Sequence, residues 1–300
     1  ILTGSSTISS ETAAKANEIM KDITGAEEFE VDKPKDNGIV LDVTDFGASE
    51  SAAPEENVAA FAKTIENAKL TNAWKINIPK GTYQLGNAAK FAIHLEGVKN
   101  LKIDGNGSEL IFSYHNTNES NGAYFGVYDS ENIEICNMTI DWDWNKYPIF
   151  SIAQICDVNV DEGTVEYEVN DCKLVDELVH GGARSWDPAI NNRSESVGFA
   201  LGGTINKLER TAENKVKYTF NVKSNAAGAK VGDWTQLYFR TKQYVNAFRM
   251  SNNRHISFHD LEINTAPYQV IYSNDSEYFK IINCKVQPSE GRRLASYGGV

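Results

Sequence analysis

The chain has 300 residues, 41% of them hydrophobic, which is enough for a large core in one elongated domain. Its formal charge is −12, and the 29 Lys and Arg are scattered. That excludes a nucleic-acid partner, whose phosphates call for clustered cations, and disfavours a polyanionic substrate unless a cation bridges it; neutral ligands fit best.

No run of residues reads as a membrane span. The start, Ile1-Leu2-Thr3-Gly4, has neither an initiator Met nor a charged-then-apolar leader. A signal peptide is therefore expected to have been removed or to lie upstream, and an extracellular or cell-surface location is expected. Ser10 to Ile23 predicts a short helix, with Gly25 beyond its end, and Ala26 to Gly38 is a polar linker or a segment draped over the neighbouring domain. Ile39 to Val43 predicts a strand. Pro54 then opens a helix whose Val58, Phe61, Ala62, Ile65 and Ala68 share one face, so residues 55–69 are expected to cap the first layer of strands.

Lys75 to Tyr83 is a strand stopped at Pro79-Lys80-Gly81, and Ile93 to Leu95 is the next. Leu101 to Asp104 and Glu109 to Phe112 come after it, with Gly105 and Gly107 supplying a bend. Ser113 to Gly122 is a loop, and Tyr124 to Tyr128 restores the strand pattern. The stretch Asn132 to Trp144 then shows a repeat. Segments at Leu101, Ile133, Ile256 and Phe279 share an apolar pair two residues apart, and the last three continue with Asn137, Asp260 or Asn283 and a further apolar residue. Period two means strand and a polar residue at a fixed place means a recurring turn, so the expectation is a parallel β-solenoid.

Positions 133 and 256 are 123 apart whereas 256 and 279 are 23 apart, so about 100 residues interrupt one layer. Ser151 to Val160 and Thr164 to Asn170 alternate around Asp161-Glu162-Gly163, and Lys215 to Val222 and Thr235 to Arg240 are further strands. The expected division is 1–38 (helix and linker), 39–145 (first layers), 146–242 (inserted antiparallel β subdomain) and 243–300 (continuing layers). The last unit reads as incomplete, to be covered by a further domain or a partner chain.

These residues resemble a known group. Val43 to Ala48, Ile78 to Tyr83 and Gly97 to Gly107 are similar to the opening of the pectin-lyase-like right-handed parallel β-helices. Thr139-Ile140-Asp141-Trp142 with the β insert, then Gly291-Arg292-Arg293-Leu294, is similar to β-helical exo-glycosidases of the lacto-N-biosidase and α-1,3-galactosidase kind. The resemblance implies an all-β right-handed parallel β-helix with an N-terminal helical cap and an inserted antiparallel β subdomain. It also implies a secreted glycoside hydrolase releasing mono- or disaccharides from neutral galactose- or N-acetylhexosamine-containing oligosaccharides. The Asn-Thr-Asp, Asp-Asp and Gly-His-Gly motifs of polygalacturonases do not occur, and Ser296-Tyr297-Gly298-Gly299 stands where relatives have Ser-x-Asp-Gly.

Glycoside hydrolysis needs two carboxyl groups flanking the bond, and Asp141 and Asp143, two apart on a strand, are the catalytic candidates. The alternative is that they are turn residues, or cation ligands at an edge, or that the catalytic pair lies beyond Val300. Two close carboxylates should hold one proton to higher pH. Trp144, Trp186, Tyr268 and Tyr297 are the expected sugar platforms, with Trp142 pointing inward, and Glu290, Arg292 and Arg293 are the expected polar contacts or a surface ion pair. His255 and His259 are four apart in a strand-turn segment, so no transition-metal site is expected. Cys136, Cys156, Cys172 and Cys284 read as structural free thiols. Two alternatives to a hydrolase stand: a polysaccharide lyase, which would require Ca2+, and a non-catalytic glycan-binding or tailspike-like module.

Overall fold

The computed structural model describes residues 15, 18, 29–86, 90–113, 122–172, 174, 182–189, 205–238 and 245–293. The helix expected over 10–23 falls almost wholly outside them, as does Tyr297. Residues 29–38 have no regular structure and run against the far end of a sheet, where the Asp32 amide donates to His255 Nδ1 at 3.1 Å and Phe29 sets its edge on Tyr278.

Among the described residues twelve strands are parallel and lie in two sheets. One contains β1 (Val40–Asp42), β2 (Lys75–Asn77), β3 (Thr82–Leu85), β5 (Lys99–Phe112), β7 (Glu131–Trp142), β15 (Arg254–Asn264), β17 (Glu277–Ile282) and β18 (Lys285–Gln287), in the order β1-β2-β5-β7-β15-β17 with β3 beside β5 and β18 beside β15. The other contains β4 (Phe91–Glu96), β6 (Ala123–Tyr128), β14 (Asn246–Ser251) and β16 (Ile271–Asn274), in the order β16-β14-β6-β4.

The repeat dictates this stacking. Leu101, Ile133, Ile256 and Phe279 are register partners on β5, β7, β15 and β17. Each strand is entered through a left-handed residue, Asn100, Asn132, His255 or Tyr278, with φ of 54 to 55°. Asn137, Asp260 and Asn283 repeat that conformation further along, at φ of 58, 54 and 50°. Asn and Asp tolerate left-handed backbone better than other non-glycine residues, and their amides tie the layers together. Asn132 Nδ2 donates to Asn100 Oδ1 at 3.2 Å, and Asn283 Nδ2 to Asp260 Oδ1.

Six further strands are antiparallel: β8 (Phe150–Asn159), β9 (Thr164–Val169), β10 (Gly182–Ser185), β11 (Ile205–Ala212), β12 (Lys215–Phe220) and β13 (Trp234–Tyr238), in the order β10-β13-β8-β9-β12-β11. The expected right-handed parallel β-helix is therefore corrected. Among the described residues the parallel strands form two separate sheets with no closed solenoid, a third of the strands are antiparallel, and a long helix, α1 (Pro54–Thr71), adds to the β structure. Strand alternation with a recurring left-handed turn specifies parallel pairing in register, and open sheets satisfy that as well as closed coils do.

The helix buries Ala60, Phe61, Ile65 and Ala68 in a core shared by both parallel sheets. That core continues through Trp142, Trp144, Phe150, Ile152 and Trp186 to one face of the antiparallel sheet. The other face of the antiparallel sheet has a core of its own, around Ile155, Tyr167, Tyr218 and Phe220.

A candidate active site at the end of strand β7

β7 alternates, so Ile140 and Trp142 enter the core and Asp141 stays half-buried on the outer face. Beneath it Phe112, Tyr124 and Trp142 stack, with centroids 4.3 and 5.9 Å apart. The strand ends at Trp142 and the chain turns: Asp143 Oδ1 accepts from the Lys146 amide at 3.0 Å, and the Tyr147 amide donates to the Asp143 carbonyl. Asp143 is thus a turn residue past the strand and not a strand neighbour sharing Asp141's face.

A second turn, Ser289 to Arg292, closes over Asp141. The Ser289 amide is held by Thr265 Oγ1 at 2.6 Å, and Ser289 Oγ donates to Asp141 Oδ1 at 2.6 Å. Gly291, at φ 75°, lets the chain reverse so that the Arg292 amide reaches the Ser289 carbonyl. Arg292 then reaches the antiparallel sheet, donating to the carbonyls of Asp171 at 2.9 Å and Phe150 at 2.6 Å. Its guanidinium lies 3.8 Å from the Trp144 ring centre.

Between these turns is a cavity of about 450 Å³ bordered by Gln84, Ile111, Asp141, Asp143, Asp171, Glu290 and Arg292. Burial pushes the Asp141 carboxyl up, and nearby Glu109 adds to that, against hydrogen bonds from Ser289, the Trp142 amide and Asn264. The hydrogen bonds from Ser289 and the Trp142 amide both go to Oδ1. Cys172, at the cavity wall, is pushed up to about 11 by burial and is a neutral thiol at ordinary pH. Trp144 Nε1 and Arg292 Nε are buried donors without a hydrogen-bond partner in the structure.

The cavity gathers Asp141, Asp143, Trp144, Glu290 and Arg292 of the expected site. Trp144 is 6% exposed and lies under Arg292, and Trp186 is 2% exposed in the main core, so neither presents an open face for stacking. Tyr268 hydrogen-bonds through its amide to Val245, and neither it nor Arg293 lines the cavity; the Arg293 guanidinium lies over Trp234, 5.0 Å from the ring centre. Asp171, Ser289 and Gln84 were not expected. Asp171 is buried, its Oδ1 holding Ser151 and the Ile152 amide and its Oδ2 the Arg293 amide.

Three potential metal ligands converge elsewhere: Glu134, Cys136 and His259, on the outer face of the eight-stranded sheet. Cys136 and His259 are register partners, a proximity the spacing of His255 and His259 did not reveal. The Lys102 ammonium, 2.8 Å from Glu134 Oε1, already supplies a positive charge there, and burial first of all pushes the Cys136 thiol up to about 12. With an ammonium in place and the thiol neutral, these residues are set as a charge ladder across the strands.

Among the described residues no helix is long and apolar enough to cross a membrane. No family model and no curated protein matches the chain. Two solved structures are similar to it at low identity. One is a protein of Parabacteroides merdae ATCC 43184 described as a glycosyl hydrolase, with 7% identity and a TM-score of 0.28, covering 85% of this chain and 100% of that one. The other is an iota-carrageenase from A. fortis, with 12% identity and a TM-score of 0.30, covering 87% of this chain and 54% of that one, about half the carrageenase's length.

Proposed function

We propose that the chain is a glycoside hydrolase acting on neutral glycans outside the cell, with Asp141 as general acid. The observation that carries this reading is a desolvated carboxyl in a cavity edged by further carboxylates and by buried N–H donors. A carboxyl kept protonated to higher pH by burial is the group that glycosidic oxygen needs as proton donor. Carboxylates and N–H donors together suit hydroxyl groups, which both donate and accept, and the carboxylates of Asp143, Asp171 and Glu290 against the Arg292 cation disfavour an anionic sugar. In this reading Asp143 and Glu290 accept from sugar hydroxyls, while Arg292, both of its terminal nitrogens held by the carbonyls of Asp171 and Phe150, supports the cavity wall. Substrates with galactose or N-acetylhexosamine at the non-reducing end are the first to try, on the strength of the sequence resemblance.

The test is release of reducing sugar from a panel of neutral oligosaccharides, with absorbance of unsaturated products read in parallel. Hydrolysis is expected, and Asp141→Asn is expected to lower kcat/KM by about 10²- to 10⁴-fold. Unsaturated products, or a variant within about threefold of wild type, a difference under about 1 kcal/mol, would overturn the assignment.

A further inference from the structure

The outer face of the eight-stranded sheet carries two polar rows beside Asp141. Thr82, Glu109, Thr139, Glu262 and Lys285 are register partners on β3, β5, β7, β15 and β18, and all are at least partly exposed. One row on, Gln84 pairs with Ile111 and Ile111 with Asp141. Glu109 therefore lies diagonally from Asp141, one strand across and two residues along. With strands about 4.8 Å apart and about 3.3 Å per residue, their Cα atoms are about 8 Å apart with both side chains on one face.

We propose that Glu109 is the second carboxylate of the hydrolysis, the general base that activates the attacking water. This rests on the reading of Asp141 as general acid. Four other carboxylates are near, and the structure separates them from Glu109. Both oxygens of Asp171 are held by the protein, Asp143 caps a turn, and Glu290 stands exposed on the turn beside Gly291. Neither Glu109 nor Glu262 borders the cavity directly, but Gln84 and Ile111, in the row next to Glu109, line it, whereas Asn264 and Gln287, in the row next to Glu262, do not. Glu109 is steadied by a hydrogen bond from Thr82 Oγ1 to its Oε2 at 3.2 Å. Its charge also adds, after burial, to what raises the Asp141 carboxyl.

The step balances with water as the co-reactant. Asp141 gives its proton to the glycosidic oxygen, the C–O bond breaks with its electron pair leaving on that oxygen, and the water oxygen attacks the anomeric carbon. The water's proton passes to Glu109, and solvent exchange returns both groups to their starting states. Carboxyls about 6.5 to 9.5 Å apart leave room for the water and give inversion at the anomeric carbon.

The experiment takes the wild-type chain on a neutral oligosaccharide that it hydrolyses, and then Glu109→Gln. Expected are a loss of about 10²- to 10⁴-fold in kcat, disappearance of the acidic limb of the pH profile, and an alkaline limb moved to lower pH. Added azide should restore turnover to the variant, and NMR of the fresh wild-type product should show inverted configuration. Retained configuration, an acidic limb that survives in Glu109→Gln, or no response to azide would overturn the assignment. A wild type that hydrolyses no glycan would instead overturn the hydrolase reading itself.

Discussion

At the scale of single residues, buried charges on the eight-stranded sheet are held by partners from neighbouring layers. Asp104 is 6% exposed, and burial alone would raise its carboxyl. Hydrogen bonds from Asn137 and Lys75 and from the Asn106 amide outweigh that and bring it to about 2. A carboxyl lowered in the folded state stabilises it above the unfolded value of about 4, and the contribution is lost as pH falls toward about 2. Asp104→Asn should therefore cost about 2 kcal/mol at pH 7, from a shift of just under two pH units. The gap from wild type should close steadily as the medium is acidified below pH 4. Urea unfolding across that range checks it, and a gap that does not narrow would show that Asp104 acts by shape rather than by charge.

At the scale of elements, β5 shows how a strand is bent without being ended. Asp104 pairs with Cys136 and Ser108 with Met138, so β5 carries extra residues between them. Asn106 and Gly107 sit there at φ 49 and 75°, and Asn106 Nδ2 donates to the Ile78 carbonyl at 3.0 Å. Gly105 needs its missing side chain for space: a Cβ would lie 2.5 Å from both the Asn137 carbonyl oxygen and the Met138 Cβ. Gly97, at φ 62°, has nothing within 4 Å and is constrained by conformation alone. Gly105→Ala should thus cost about 1 to 3 kcal/mol through overpacking against backbone, and Gly97→Ala nearer 1 kcal/mol. Thermal melts of the two variants would decide it, and an equal or smaller loss at Gly105 would contradict the close approach. The bend itself was legible from the paired glycines, and so was the stacking of Asn137, Asp260 and Asn283, because alternation and left-handed turns are local signals. Whether stacked strands close into coils or lie as open sheets is not a local signal, and there the expectation failed. Trp144 and Trp186 were expected as sugar platforms, yet both are buried in the core against one face of the antiparallel sheet. Glu109 was not placed by the repeat alone: aligning Leu101 with Ile133 sets it opposite Asp141, and only the extra residues in the bend of β5 move it beside Thr139. Asp171 was not placed either, because only the antiparallel sheet brings it back to Asp141.

At the scale of the whole molecule, the site exists because two differently built sheets meet. The antiparallel sheet gives one face to the main core and keeps a second core to itself, so it can be loosened without unravelling the parallel layers. Arg292 joins them: it leaves the Ser289 turn, stacks on Trp144 and donates to carbonyls of Phe150 and Asp171 on the antiparallel side. A planar guanidinium can stack and hold two carbonyls at once, whereas an ammonium on a flexible stem cannot reproduce that geometry. Arg292→Lys should then cost about 2 to 4 kcal/mol, the sum of one charged hydrogen bond and most of a desolvated cation–π contact. The loss should be uneven. Amide hydrogen exchange should quicken in β8 and over residues 170–172, while β5, β7 and β15 keep their protection, because their ladders do not pass through Arg292. Exchange that quickens equally across all three sheets would mean that the molecule opens as one unit, and that Arg292 packs the cavity without fastening its two walls together.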